Sequence, residues 1–409
     1  MQFSGINLQD VIEALQYQNF PFQKVTKFAF RCSGKIKGSS VRFLVENCPK
    51  LRYLYLRNSP ITDSIAEAMV KNCPSLEFLQ FSSNKLTDEG LATLFQLKKL
   101  QDVRISLGES VTEEGFKHIK GSQIKVLKIK ADGIKDETIQ KIVAGCPNLE
   151  NFTITVNENI TAVAVQALAK LTKLKIINVS YNEKLKSVDT LKAISQAAFA
   201  PTLERLKIES LELTAPMAEP LTTGKDFPKL KFLQVNDNNW GDVTMPKILK
   251  KFGATLVRLA LTTKTKDETA KAVAANCPNL KILNASSELW TDVGVTALAN
   301  GVCTKLEALD ISYVKMTDAS VQALFHGNLK NLVAINLESC EKLTNEAAKA
   351  ISTGNSQKLQ VLKLDSCQKL TDECCKWLGS GNLVELAALH FDFYGVTGIT
   401  DAGIEFLLS

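Results

Sequence analysis

Apolar residues recur along the chain in the pattern L-x-x-L-x-L, as in LRYLYL from Leu51, LEFLQF from Leu76 and LEALDI from Leu306. Successive copies begin 24 to 29 residues apart, and a weaker copy, VTKFAF, begins at Val25. Alternate apolar residues are typical of a short strand with one buried face, and the polar-apolar spacing after each copy is typical of a helix. The period therefore predicts stacked units of one strand and one helix.

Such a period is typical of leucine-rich repeats, and about fifteen of them fill residues 25–409. One repeat cannot bury its own apolar face, so neighbouring repeats share a continuous core. The predicted fold is an α/β leucine-rich-repeat solenoid forming a single domain. We expect a curved horseshoe with a parallel sheet on its concave face and helices on its convex face.

Six of the predicted helices begin at a Thr-Asp pair. A threonine oxygen can cap free N–H groups of the first helical turn, and an acidic residue there favours the positive end of the helix dipole. The pairs are Thr62-Asp63, Thr87-Asp88, Thr291-Asp292, Thr317-Asp318, Thr371-Asp372 and Thr400-Asp401.

The segment 1–24 precedes the first repeat. Leu8, Val11, Ile12 and Leu15 follow i, i+3, i+4, i+7 spacing, which predicts an amphipathic helix. We expect this helix to cap the open end of the repeat core.

Seven of the ten cysteines keep a fixed place in the repeat. Five lie three residues before the first leucine of the next repeat, and Cys340 and Cys367 occupy the ninth position, where other repeats have asparagine. This phasing predicts small buried thiols, because a zinc site needs ligands that converge on one point. We expect reduced, structural cysteines.

The spacing, the Thr-Asp pairs and the cysteine phase together resemble the cysteine-containing leucine-rich repeats of F-box proteins, which choose substrates for ubiquitin ligases. The resemblance covers about Val25 to Ser409. An F-box occupies about 45 residues before the repeats in that family, whereas some 24 residues precede Val25 and do not resemble one. The resemblance implies a ligase role only if another chain supplies the adaptor contact.

Composition narrows the classes of function. Apolar residues make up 45% of the 409 residues and the formal net charge is +6, so disorder is excluded and a nucleic-acid partner is not expected. The sequence shows no secretion signal and no apolar run long enough to span a membrane. We expect a cytoplasmic or nuclear protein that is monomeric on its own and does not bind membranes.

Catalytic motifs are missing from the sequence. His118, His326 and His390 belong to different repeats, and no phosphate-binding loop, hydrolase elbow or zinc-peptidase motif is present. We expect no enzyme activity, no cofactor and no metal.

The concave face should carry the function. With the first leucine of a repeat as position one, positions four and six point into the core, and positions three, five and seven face outward. Apolar side chains recur there, with basic residues in the first half of the chain and acidic ones in the second; Glu209 is an exception. The candidate partner-binding residues are Tyr53, Tyr55, Arg57, Phe78, Arg104, Lys128, Lys130, Ile176, Lys207, Phe232, Asp310, Glu338, Asp365 and Asp392.

These residues favour a non-catalytic scaffold that binds a protein on the concave face, as a substrate or regulatory adaptor in a ubiquitin-ligase-like setting. The charge gradient would orient a partner of opposite polarity, and its alternative is scattered solvated charge. The alternative function is a permanent structural component of a cytoskeletal or ciliary assembly. A GTPase-activating protein ranks below both, because its family has longer repeats.

Overall fold

The computed structural model describes most of the chain and divides it into two compact units, Met1–Leu203 (unit 1) and Glu204–Ser409 (unit 2). The described residues are 2–3, 8–30, 36–56, 59–131, 133–155, 159–180, 183–209, 211–236, 240–261, 264–391 and 398–408.

Unit 1 is built on parallel strands that pair in chain order. They are β1 (Gln2–Phe3), β2 (Lys27–Phe30), β3 (Tyr53–Leu56), β4 (Phe78–Ser83), β5 (Asp102–Leu107), β6 (Val126–Lys130), β7 (Asn151–Thr155) and β8 (Ile176–Ser180). The helices are α1 (Leu8–Tyr17), α2 (Gly38–Asn47), α3 (Asp63–Asn72), α4 (Asp88–Leu94), α5 (Asp136–Gly145), α6 (Ala162–Leu168) and α7 (Val188–Ser195). Short 3-10 helices occupy Phe22–Lys24, Glu113–Phe116 and Glu183–Leu185.

Unit 2 repeats this arrangement with shorter parallel strands, again paired in chain order. They are β9 (Arg205–Glu209), β10 (Phe232–Gln234), β11 (Arg258–Ala260), β12 (Ile282–Asn284), β13 (Ala308–Asp310), β14 (Ala334–Asn336), β15 (Val361–Lys363) and β16 (Ala388–His390). The helices are α8 (Ala215–Thr223), α9 (Gly241–Phe252), α10 (Asp267–Asn276), α11 (Asp292–Asn300), α12 (Asp318–His326), α13 (Asn345–Thr353), α14 (Asp372–Ser380) and α15 (Asp401–Leu408). A 3-10 turn, Gly253–Thr255, follows α9.

The strands β2 to β16 fall on the fifteen predicted copies of the pattern. The alternation of burial matches the expected phase: in β3, Leu54 and Leu56 are buried while Tyr53 and Tyr55 are half-buried. The core of each unit lies between its sheet and its helices, because the fourth- and sixth-position side chains meet the apolar sides of the helices there.

The segment before the first repeat forms α1, with Val11 and Ile12 buried. It also contributes β1, which pairs with β2 and which the hydrophobic pattern does not predict. Whether α1 acts as a cap remains a prediction.

The Thr-Asp pairs link neighbouring repeats. In each linkage the carboxylate of an aspartate at the start of one helix accepts hydrogen bonds from the backbone N and Oγ1 of the threonine that precedes the next helix. The N–O distances are 2.7–2.9 Å and the O–O distances 2.6–3.0 Å. We call this linkage the Asp–Thr latch. Among the described residues it joins Asp63 to Thr87, Asp88 to Thr112, Asp136 to Thr161, Asp267 to Thr291, Asp292 to Thr317, Asp318 to Thr344 and Asp372 to Thr400.

The expectation that each threonine caps its own helix is correct only in part. Thr291 does so, since its side chain accepts a bond from the backbone N of Val293 at 3.2 Å. Thr62, Thr87, Thr317 and Thr371 make no capping bond of this kind. In each latch the threonine hydroxyl donates to the aspartate of the preceding repeat, and at Thr291 the same oxygen also accepts the capping bond.

The third residue after each latch threonine is small, because the latch lies against it. A Cβ added at Gly294 would lie 2.5 Å from Asp267 Oδ1, and one at Gly115 would lie 2.9 Å from Asp88 Oδ1. Gly90 approaches Asp63 in the same way. Where a hydroxyl replaces this glycine it joins the latch, as Ser320 does by donating to Asp292.

The nine cysteines among the described residues are all buried and unpaired. Several donate their S–H to a carbonyl of the preceding repeat, for example Cys73 to Val45 O at 3.3 Å and Cys367 to Leu337 O at 3.3 Å. Burial raises the pKa of Cys73 and Cys367 to about 11 and that of Cys303 to about 12. These thiols are packing residues of the repeat junctions, and Cys32 lies outside the described residues.

Candidate partner-binding surface

The side of each sheet that faces away from the helices carries the third, fifth and seventh positions of the repeats, and we call it the sheet face. In-register parallel pairing places equivalent positions side by side: Lys27, Tyr53, Phe78 and Asp102 are successive Cα partners. Side chains from four repeats therefore meet in one row, as side chains on one face of neighbouring strands do.

A stack of aromatic rings capped by cations crosses β2 to β5 in unit 1. The rings of Tyr53 and Phe78 are stacked, with centroids 3.9 Å apart and planes 7° from parallel. Lys27 Nζ lies 4.6 Å from the Tyr53 centroid, and the guanidinium carbon of Arg104 lies 5.3 Å from the Phe78 centroid. Lys27 is on β2 and Arg104 is on β5, so each cation lies on the strand that flanks the two ring-bearing strands. The cations therefore cover the outer faces of the stack, where the negative π-face of each ring attracts them.

Arg104 is also held by Asp102. Its Nε and Nη2 donate to the two carboxylate oxygens at 2.9 Å each. Hydrogen bonding to Asp102 raises the pKa of Arg104, although partial burial opposes this effect. A bidentate pair of this kind fixes the guanidinium in one plane, so Arg104 presents a positioned charge.

Beside this stack lies a depression of about 500 Å³ that runs across β3 to β7. Lys128 and Lys130 from β6 line one part of it, and Tyr55, Gln80 and Arg104 are among the other lining residues. Asp102, which pairs with Arg104, is the one carboxylate among the described third-, fifth- and seventh-position residues of β2 to β8. Lys27, Arg104, Lys128 and Lys130 are the cations. The depression is therefore basic.

Unit 2 carries a second capped ring. Phe232 in β10 lies between Arg205 and Arg258, whose guanidinium carbons are 4.6 Å and 5.3 Å from the ring centroid. Beside it, Lys207 Nζ lies 2.6 Å from Glu209 Oε2, and Gln234 donates to Glu209 Oε1. Glu209, an exception to the charge gradient, is thus a buried carboxylate paired with one of the predicted basic residues.

Two of the predicted acidic side chains of unit 2, Asp310 and Glu338, accept local hydrogen bonds. Asp310 Oδ1 accepts from Ser286 Oγ at 3.0 Å and from Ser312 Oγ at 2.8 Å. Tyr313 donates to Glu338 at 3.4 Å, and Asp365 is half-buried. Lys363 on β15 lies among these acidic residues, so the sheet face of unit 2 is mixed in charge.

The structure places the described members of the predicted set on the sheet face of the unit to which each belongs. Phe78 and Phe232 are only 9% exposed, so the expectation that large third-position rings are exposed is wrong for these two. Ile176 begins β8, beyond the depression. Arg57 and Asp392 lie outside the described residues.

Lys27, Arg205 and Arg258 are the residues that sequence reasoning missed as site candidates. Arg205, Phe232 and Arg258 stand at the third position of consecutive repeats. The sequence signal for Arg205 and Arg258 was therefore an aromatic residue flanked by a cation at the third position of the repeat before it and of the repeat after it.

The described residues contain neither a metal-ligand cluster nor a long apolar helix. They include no group of three or more His, Cys, Asp or Glu side chains arranged to hold a metal ion. None of the described helices is long and apolar enough to cross a bilayer.

Comparison with known proteins bears on the fold of the chain. A family model described as leucine-rich repeat matches residues 47–70 and 72–95. No curated protein sequence matches the chain. A structure of the yeast Rad7 and Elc1 complex aligns over 97% of this chain and 86% of that chain, with a TM-score of 0.51 and 15% identity. An internalin from Listeria monocytogenes covers 94% of each chain, with 18% identity and a TM-score of 0.47.

The chain therefore has the α/β leucine-rich-repeat fold, and the predicted fold class is confirmed. At this level of identity the structural likeness establishes the fold alone.

Proposed function

We propose that this protein is a non-catalytic scaffold that holds a protein partner on its sheet face. The capped aromatic stack of unit 1 carries the proposal. Interfaces are enriched in tyrosine, tryptophan and arginine anchors whose geometry is fixed before binding. Tyr53, which stacks on the buried Phe78, and Arg104, which Asp102 holds, are such positioned side chains beside a basic depression.

The comparisons support the same class of function. Leucine-rich-repeat proteins present a regular sheet surface to their partners, and a neighbour in fold was solved as a complex of Rad7 and Elc1. In its most specific form, the proposal is a substrate or regulatory adaptor, including one in a ubiquitin-ligase-like setting.

The test compares two surfaces of unit 1. The sheet-face variant carries Tyr55→Ala, Lys128→Glu and Lys130→Glu, and the matched control carries Lys117→Glu and Lys120→Glu. The control residues are exposed and follow the 3-10 helix Glu113–Phe116, on the helical side of a neighbouring repeat. Thermal unfolding should show that both variants fold.

Affinity purification followed by mass spectrometry would identify partners of the unmodified protein, and titration with each purified partner would measure direct binding. We expect the control variant to bind like the unmodified protein and the sheet-face variant to lose binding. Equal binding by both variants would refute the assignment to the sheet face.

A further inference from the structure

We infer that the basic depression of unit 1 recognises an extended acidic segment of the partner protein, about six residues long. This inference rests on the proposed function and specifies the chemistry of the partner. It concerns the surface lined by Tyr55, Gln80, Arg104, Ser106, Lys128 and Lys130.

The length of the acidic segment follows from the width of the depression across the strands. The depression crosses five neighbouring strands, β3 to β7, and neighbouring strands lie roughly 4.8 Å apart, which gives a span of about 19 Å. An extended chain rises about 3.3 Å per residue, so about six residues cover it. The segment lies across the strands, because the row of side chains runs in that direction.

The negative charge of the segment follows from the excess of basic over acidic side chains on the sheet face of unit 1. The one carboxylate of this sheet face, Asp102, already accepts both bonds that the Arg104 fork offers it. Lys128 and Lys130 lie on the next strand and line the same depression. Negative side chains in a partner would complement this field and would increase the rate of encounter as well as the affinity.

The aromatic stack argues for a peptide and against a single-stranded nucleic acid. Proteins that bind single strands stack bases on open aromatic faces. Tyr53 has Lys27 on one face and Phe78 on the other, and Phe78 is covered in turn by Arg104. Both rings of the stack are therefore closed to bases, whereas the cations beside them remain near the surface.

The experiment uses the full chain and a fluorescein-labelled octapeptide that alternates glutamate and alanine. The comparison ligands are the same peptide with glutamine in place of glutamate and an oligothymidylate of similar length. Fluorescence anisotropy is measured for the unmodified protein, for Lys128→Glu/Lys130→Glu and for Lys117→Glu/Lys120→Glu.

We expect the glutamate peptide to bind the unmodified protein and to bind Lys128→Glu/Lys130→Glu at least roughly tenfold more weakly. The Lys117→Glu/Lys120→Glu control should stay within about twofold, and raising the salt from about 0.05 to about 0.3 M should weaken binding. The glutamine peptide should bind roughly tenfold or more weakly than the glutamate peptide.

Three results would overturn the inference: no binding of the glutamate peptide at about 1 mM, equal binding of the glutamine peptide, or tighter binding of oligothymidylate through the same lysines. If a cellular partner still depends on the sheet face while the glutamate peptide does not bind, the acidic chemistry is wrong and the scaffold function stands. If the substitutions on the sheet face leave partner binding unchanged, the proposal that the sheet face holds the partner is wrong.

Discussion

The carboxylate of Asp267 accepts two hydrogen bonds from Thr291 of the following repeat, 2.8 Å from the backbone N and 2.6 Å from Oγ1. It accepts a third from the backbone N of Gly294 at 3.0 Å. One side chain therefore satisfies donors at the start of the next helix, where free N–H groups need an acceptor. The latch couples the stability of one repeat to that of its neighbour.

Removal of this carboxylate should destabilise unit 2. We predict that Asp267→Ala lowers the free energy of unfolding by about 1 to 3 kcal/mol, because donors at the helix start lose their charged acceptor. Asp267→Asn should cost less, since Asn345 already serves in this role by accepting from the backbone N of Thr371 at 3.1 Å. Urea unfolding followed by circular dichroism measures both changes, and an Asp267→Ala variant as stable as the original would contradict the latch.

The latch also predicts how stability depends on pH. Hydrogen bonds from the backbone N and side chain of Thr400 lower the pKa of Asp372. Desolvation raises the pKa of Asp292, but bonds from Ser320 and Thr317 outweigh it and the net shift is downward.

A carboxyl with a lowered folded-state pKa stabilises the fold above its unfolded-state pKa of about 4, and this stabilisation is lost as the pH falls through the lowered value. We therefore predict that the urea midpoint falls as the pH is lowered below about 4. Asp292→Asn/Asp372→Asn should make the fall shallower. An identical slope in the variant would show that these groups do not contribute.

The glycine beside the latch gives an independent prediction. Gly294→Ala should destabilise the protein by about 1 to 3 kcal/mol, because the new Cβ would lie 2.5 Å from Asp267 Oδ1. Gly38→Ala is the matched control, since a Cβ at the start of α2 would meet its nearest atom at 3.5 Å. We expect it to be neutral or slightly stabilising. Equal losses in the two variants would mean that the contact with Asp267 is unimportant.

The buried cysteines should be unreactive in the folded protein. Burial raises the pKa of Cys48 to about 12 and that of Cys146 to about 11, and the thiolate is the reactive form. In a Cys32→Ser background, Ellman's reagent at about pH 8 should modify no thiol quickly until urea is added. Fast labelling of any remaining cysteine without urea would contradict this.

The repeats and their strands were predictable from the sequence because each copy of the pattern carries its own signal. Leu54 and Leu56 alternate with Tyr53 and Tyr55, and this alternation fixes which side of β3 is buried. The latch was not predictable, since Asp267 and Thr291 are 24 residues apart and neither shows a local sign of the other. The Thr-Asp motif was read as a cap because that is its action within one helix.

The sheet face was predictable in its positions but not in its contacts. The repeat register places Arg205, Phe232 and Arg258 in one row, yet only side-chain geometry shows both guanidinium groups lying on the ring. For the same reason the sequence suggested that Phe78 and Phe232 are exposed, whereas cations and neighbouring strands cover them. Some charges are also neutralised within their own repeat, as Arg104 is by Asp102. Such pairs weaken the charge gradient along the chain that the sequence predicts from individual residues.

The central claim is that the sheet face contacts the partner, and site-specific photocrosslinking tests it most directly. A benzophenone amino acid would be placed at Tyr55, on the sheet face of β3, and in a second protein at Lys120, on the helical side. The account predicts a crosslink to the partner from position 55 and none from position 120. Crosslinking from position 120 alone would contradict it.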